Sequence, residues 1–180
     1  MRALFTSFSA ILLAAGCANP LNQATSDRYA QECASAEQRG QLAVAEEACY
    51  RSVKNVDWGN LGPELKSQRL YNLARIKRQV GKFSEAEAIL VESLAIEETL
   101  SGRASLKVAR RLVELSVNLA AQEKWSEGTA FLERTIPISS GFSGQERSFT
   151  KTSYVEYAKK LRTLGNNDSA SRFQAAAASL

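Results

Sequence analysis

Apolar residues recur at intervals of three and four along most of this chain, as in Leu70, Leu73, Ala74 and Val80, or Leu112, Leu115 and Leu119. That spacing keeps one face of a helix apolar, and few stretches alternate as a strand would. Glycine and proline are scarce and fall mostly between the apolar runs, so helices are expected over about 27–39, 42–55, 63–80, 84–101, 103–122, 126–136, 146–164 and 168–179. Several boundaries have a local cause. Residues 55–62 interrupt the pattern, and Pro63 suits the first turn of the helix that follows. Ser84 and Glu87 have capping-box spacing, Pro137 stops a helix, and Asp168 is placed to cap the last one. Residues 137–145 read as a loop carrying an exposed Phe142.

The helices follow a beat. One column of large residues reads Tyr29, Leu70, Leu112 and Tyr154, at steps of 41, 42 and 42 residues. Three further columns hold small residues: Cys33, Ala74, Ser116 and Ala158; Ala45, Ala86, Gly128 and Ala170; Ser52, Ser93, Thr135 and Ala177. Between them fall the turn residues Gly40, Gly81, Glu123 and Gly165, each followed two positions on by Leu42, Phe83, Trp125 or, in the last copy, a polar Asn167. Small side chains let two helices close on one another while a large one fills the groove beside them. A single hairpin cannot bury its apolar stripe, but stacked copies can. A period of this length marks a repeat architecture.

The order large, small, glycine turn, aromatic, small resembles the tetratricopeptide repeat (TPR). Leu70, Ala74, Gly81, Phe83, Ala86 and Ser93 carry it in the second copy, and Leu112, Ser116, Trp125, Gly128 and Thr135 in the third. The resemblance covers roughly residues 27–180. It implies an all-α fold, a TPR-like right-handed α-solenoid of about four helix-turn-helix repeats with a period of about 42 residues. That period exceeds the family's usual 34, and the family's closing proline is missing from all four copies.

The first residues form a separate device. Arg2 supplies a positive start, Ala3–Ala15 an uncharged and mostly apolar stretch too short to span a bilayer, and Ala14, Ala15 and Gly16 precede Cys17. This resembles a bacterial lipoprotein signal, which implies removal of residues 1–16 and lipidation of Cys17. Alanine rather than aspartate at position 18 implies, by the family's sorting rule, anchoring to the outer membrane of the cell envelope, facing the periplasm. An ordinary secretory signal cut near Ala15 or Ala18 is the other reading. Residues 18–26 are polar, carry a proline and have no helical stripe, so 17–26 is expected to be the lipidated cysteine with a flexible tether and 27–180 the repeat domain.

Cys33 and Cys49 stand eight residues either side of position 41, inside the first turn, so an antiparallel hairpin sets them level. In an exported protein such a pair is expected to close as a disulfide, although two free buried cysteines would also fit as small packing residues.

Chemistry is thinly represented. The chain has no histidine, which removes the usual general base and both the Ser/His/Asp and Cys/His arrangements, and it has no phosphate-cradling glycine loop. Three cysteines are too few for a zinc cluster once two are paired and one is lipidated. Twenty-three basic against nineteen acidic residues is no nucleic-acid footprint. The expectation is a binding protein without cofactor, metal, small-molecule substrate or catalytic residue. Adjacent acids such as Glu46 and Glu47 point apart on a helix and read as a solvated face.

The resemblance also implies where partners sit, since the first helices of TPR hairpins line a groove for extended peptides or partner helices. Carried over by position, that face holds Gln68, Tyr71, Arg75 and Arg78 in the second copy, Arg110, Val113 and Val117 in the third, and Val155, Lys159 and Arg162 in the fourth. Arginine and lysine beside apolar contact would suit an acidic, partly apolar segment; the alternative is that these are solvated helix faces. The family's carboxylate clamp is not matched, since only Asn72 and Arg110 resemble its members. The leading expectation is a membrane-anchored periplasmic adaptor or scaffold for protein partners in the envelope. A pilotin-like assembly chaperone of a secretion or pilus system, and a docking regulator of a peptidoglycan enzyme, are the alternatives.

Overall fold

The computed structural model describes residues 18–180, which leaves Cys17 and the signal segment outside the described residues. Among the described residues the regular structure is entirely helical: α1 (Pro20–Gln38), α2 (Leu42–Gly59), α3 (Pro63–Gln79), α4 (Phe83–Ser101), α5 (Leu106–Ala120), α6 (Trp125–Glu133), α7 (Gly144–Thr163) and α8 (Asn167–Ser179), with a short 3-10 turn at Ser139–Gly141. Consecutive helices pair as four hairpins, and each hairpin packs on the next, α2 against α3, α4 against α5 and α6 against α7.

The tight turns fall where the period places them. Gly40, Gly81 and Gly165 adopt φ of 70°, 80° and 80°, and Glu123 takes the same left-handed conformation at 59°. An L side chain is disfavoured there by about 1 kcal/mol. At Glu123 the carboxylate makes compensating bonds, accepting from Trp125 Nε1 at 2.8 Å and Lys160 Nζ at 3.1 Å.

The small-residue columns are the helix crossings. Ala45, Ala74, Ala86, Ser93, Ser116, Thr135 and Ala170 are fully buried. Each apolar cluster straddles two hairpins. Cys33, Ala45 and Cys49 pack with Leu70, Leu73 and Ile76; Ala74, Leu90 and Leu94 pack with Val108, Leu112 and Leu119; Ala109, Val113 and Leu132 pack with Tyr154, Tyr157 and Phe173. Within the first hairpin, Cys33 and Cys49 form a disulfide, S–S 2.08 Å with Cα atoms 5.2 Å apart. A loop of this size stabilises the fold by about 3 kcal/mol.

Five local expectations are corrected. Residues 20–26 are helix rather than tether: Pro20 occupies the first helical turn, the Asn19 side chain accepts from Leu21 N–H at 3.0 Å, and Asn19 N–H bonds Gly59 C=O at 2.9 Å. The second helix runs through the expected break to Gly59 and ends at a left-handed Asn60. Helix α4 starts at Phe83 with Lys82 at the cap position, so Ser84 is already helical and no capping box forms. The cap of α8 is Asn166, whose side chain accepts from Ser169 N–H, rather than Asp168. Phe142 is buried at 2% exposure, because the 3-10 turn before it rolls its ring into the third cluster.

Gly128 shows how closely the crossings are fitted. A Cβ there would lie 1.9 Å from Tyr157 Oη, whose hydroxyl donates to Ser116 C=O at 2.6 Å. Gly128→Ala should therefore cost about 2 kcal/mol by overpacking, read as a lower urea midpoint. Adding Tyr157→Phe, which removes the obstructing oxygen, should return part of that loss. An unchanged midpoint for Gly128→Ala would contradict the fit.

Candidate functional site

The first helices of successive hairpins touch along one side of the stack, α3 with α5 and α5 with α7. Between them lie two adjoining hollows that share Tyr71. One, of about 320 Å³, is bounded by Glu64, Gln68, Tyr71, Asn72, Arg110 and Glu146. The other, of about 410 Å³, is bounded by Tyr71, Arg75, Arg78, Glu114, Gln145 and Phe149. Five of the residues expected to line a groove, Gln68, Tyr71, Arg75, Arg78 and Arg110, are thus brought together.

The other five are not. Val113 is 2% exposed and sits in the third apolar cluster, with Val117 packed against it, because the next hairpin covers that side of α5. Val155, Lys159 and Arg162 line a separate cleft between α7 and α8.

The groove's electrostatics also differ from expectation. Arg75 Nη2 donates to Glu37 at 2.7 Å, Arg78 Nε to Glu114 at 2.6 Å, Arg110 Nη2 to Glu146 at 3.0 Å, and Lys107 Nζ to Glu64 at 2.7 Å. Each pair bridges neighbouring hairpins. The cations are neutralised where they stand, so the groove is a mosaic of ion pairs and does not select an acidic segment by net charge. Its apolar contact comes from Tyr71, lying beneath the guanidiniums of Arg111 and Arg75 at 5.3 and 5.9 Å, and from Phe149, 39% exposed. Burial, aided by the Glu114 carboxylate and opposed by the nearby arginines, pushes the Tyr71 hydroxyl up to about 12, so it stays a neutral donor at ordinary pH.

Beneath the groove runs a polar seam that the sequence reading missed. Ser26 and Ser52 exchange hydroxyl-to-carbonyl bonds of 3.0 Å each, and Ser67 and Ser93 repeat the arrangement one hairpin later at 3.0 and 2.8 Å. Bonds this short require the two backbones to be close. An arginine from the following hairpin reaches each seam: Arg69 bonds Ser26 and Asp27, and Arg111 bonds Ser93 and Ser67 at 2.8 Å each. Arg111 also pairs with Glu97 at 2.9 Å, their side chains 5% and 2% exposed. Burial holds the Arg111 guanidinium below its ordinary value while Glu97 pulls the other way. The signal was present, since Ser26 and Ser67 stand 41 residues apart and Arg69 and Arg111 stand 42 apart.

A second set of ion pairs also joins neighbouring hairpins. On the turn side Lys82 bonds Glu46 at 2.7 Å, Lys124 bonds Glu87 at 2.9 Å one repeat later, and Lys160 bonds Glu123 at 3.1 Å; at the opposite ends of α4 and α6, Arg134 meets Glu98. Burial works against Glu46 and Glu98, yet their basic partners keep both below the ordinary carboxylate range. Lys124 does the same for Glu87, and Trp125 with Lys160 for Glu123.

No family model matches the chain, and no curated protein matches it in sequence. Solved structures do match in fold. The crystal structure of BtubC (BKLC) from P. vanneervenii superposes with a TM-score of 0.75 at 19% identity, covering 87% of this chain and 63% of that one. The kinesin light chain TPR-like repeats from Podosopora anserina superpose with a TM-score of 0.65, again at 19% identity, over 84% and 72% of the two chains. This chain therefore spans somewhat under two thirds of the length of the first of these proteins. The fold is a TPR-like α-solenoid.

Two outcomes follow from the polar contacts. Arg111→Met leaves Glu97 buried without its partner and should cost about 3–5 kcal/mol; Arg111→Met with Glu97→Met should recover most of it, and a double variant no more stable than the single would contradict the pairing. The lowered glutamates contribute stability that is complete above about pH 4.5 and is lost as pH falls through their depressed values. The urea midpoint should hold from pH 7 to 5 and fall steeply below 4.5; a midpoint flat down to pH 3 would contradict it.

Proposed function

We propose that this chain is a non-catalytic adaptor of a bacterial envelope, lipid-anchored through Cys17 to the outer membrane on its periplasmic side, that holds partner proteins in the groove between α3, α5 and α7. The observation that carries the binding role is the TPR-like stack itself, whose first helices leave Tyr71 and Phe149 at the surface of an open groove. Rigid aromatic contact ringed by preformed ion pairs favours an extended segment with an apolar or aromatic anchor and polar neighbours.

Support for the anchor comes from the first hairpin. Only Ala18 separates Cys17 from the fixed backbone of Asn19, a reach of about 7 Å over two residue steps. A lipidated Cys17 would thus hold the solenoid against the bilayer without a long tether. Leu21 and Trp58, 77% and 73% exposed, belong to the same end of that hairpin, where Asn19 bonds Gly59. An exposed tryptophan beside a lipid attachment point suits the headgroup region. Among the described residues no helix is long and apolar enough to cross a membrane, so attachment in this reading rests on Cys17.

Tyr71→Ala with Phe149→Ala in the lipidated full chain should lower co-purification of envelope partners at least tenfold while the helical signal is kept. Cys17→Ala should move the protein from the membrane to the soluble periplasmic fraction. Undiminished capture by the double variant would remove the groove from this reading, and membrane retention of the Cys17 variant would remove the anchor.

A further inference from the structure

The cleft between α7 and α8 has a different character from the groove. It encloses about 400 Å³, its walls are mainly apolar, and Val155, Ala177 and Ala178 line it with Lys151, Lys159 and Arg162 at its edge. Lys151, Val155, Lys159 and Arg162 are spaced by four, four and three residues, so one stripe of α7 faces the cleft. Whereas the groove's cations are each matched to a glutamate, these three have no ion pair among the described residues. Among the described residues the Arg162 side chain is held by the side-chain oxygen of Gln174. Val155 is 52% exposed.

The inner hairpins show what such a face receives. A step of 42 residues carries Val155 onto Val113, which the helix α7 covers with Tyr154 and Tyr157. Two steps carry Arg162 onto Arg78, which bonds Glu114 of α5 at 2.6 Å. The same steps carry Ala177 onto Thr135 and Ser93, whose hydroxyls are met by Tyr154 and Arg111 of the following hairpin. At the inner face that carries the arginine, the occupant is therefore the helix α5, which brings apolar side chains and the Glu114 carboxylate toward Arg78; one step from Arg162 falls on Ala120 instead. At the α7–α8 face the hydroxyl is replaced by the methyl of Ala177, so nothing there calls for a polar group on that stripe.

We infer that the α7–α8 cleft is a second docking site, distinct from the groove, for an amphipathic helix of a partner protein that carries an unbroken apolar stripe flanked by glutamate or aspartate. Its carboxylates take the place that Glu114 holds against Arg78 and are received by Arg162, Lys159 and Lys151. The unmatched positive edge selects an acidic helix over a basic one, and the small Ala177 and Ala178 admit leucine-sized side chains close to the backbone of α8. A second copy of this chain is a poorer occupant: the outer face of α1 and α2 exposes Tyr29 and Val44 with Glu32 and Glu47, but Arg51 stands among them and already pairs with Glu47.

The test uses a fluorescein-labelled, hydrocarbon-stapled 15-residue helix with leucines on one stripe and glutamates flanking it, and a twin in which lysine replaces every glutamate. Each is titrated into the purified full chain by fluorescence anisotropy. The acidic probe should bind at least tenfold more tightly than its twin, and Lys159→Glu with Arg162→Glu should reverse the preference. Val155→Glu should weaken the acidic probe by a similar factor, and all three changes lie at exposed positions where the helical signal should not alter. Equal binding of the two probes, or a preference that survives the charge reversal, would overturn the inference. Concentration-dependent self-association in sedimentation, abolished by the same charge reversal, would assign the cleft to a second copy and overturn the partner helix. These readouts do not involve Tyr71 or Phe149, so the cleft stands or falls separately from the groove.

Discussion

Everything in this fold depends on helices being allowed to approach until small side chains touch. Where Ser67 faces Ser93, each hydroxyl bonds the other helix's carbonyl, and where Gly128 lies under Tyr157 there is no room for a methyl group. Close approach lets the large residue of the next hairpin drop into the crevice, so that Leu70, Leu112 and Tyr154 are each at most 4% exposed. The first hairpin has no hairpin before it among the described residues, and its Tyr29 is only half-buried. There a disulfide between Cys33, a position of the small-residue pattern, and Cys49, which stands where later copies have Leu90 and Leu132, supplies the missing cohesion.

The stacking also decides how charge is distributed. At each junction an arginine or lysine of one hairpin meets a glutamate of its neighbour, and on the turn side the Lys82–Glu46 pair recurs one repeat later as Lys124–Glu87. Junctions thus neutralise their own cations, which leaves the groove with local polarity but little net attraction for an acidic chain. At the α7–α8 face, Lys151, Lys159 and Arg162, which have no ion pair among the described residues, surround an apolar cleft. The groove and the cleft are accordingly suited to different chemistry: aromatic contact and hydrogen bonding in one, an acidic amphipathic helix in the other.

Much of this was legible in the residues because the period is written in side-chain size, which a crossing enforces directly. Gly40, Gly81, Glu123 and Gly165 are all left-handed turns, including the one without a glycine. Charge was less legible, since a helical wheel gives the face of Arg78 but not the glutamate that the next hairpin brings to it. Val113 and Val155 occupy the same place in the repeat yet one is core and the other surface, because burial there depends on a neighbouring hairpin rather than on local sequence. Helix starts were misplaced where a long-range bond intervened: Asn19 N–H bonds Gly59 C=O, and this ties down a stretch whose composition suggested a tether. Glu97 and Arg111 went unnoticed because two charges in a helical pattern look solvated until the seam between hairpins closes over them.

The central claim, that stacked hairpins present a groove along their first helices for a partner polypeptide, is tested most directly by amide hydrogen exchange on the chain alone and with a co-purified protein partner. Slowed exchange should be confined to the exposed stretches of α3, α5 and the first half of α7 around Tyr71, Arg110 and Phe149, with α2, α4 and α6 unchanged. Slowing that falls on α2, α4 and α6 while the surroundings of Tyr71 exchange as before would contradict the account.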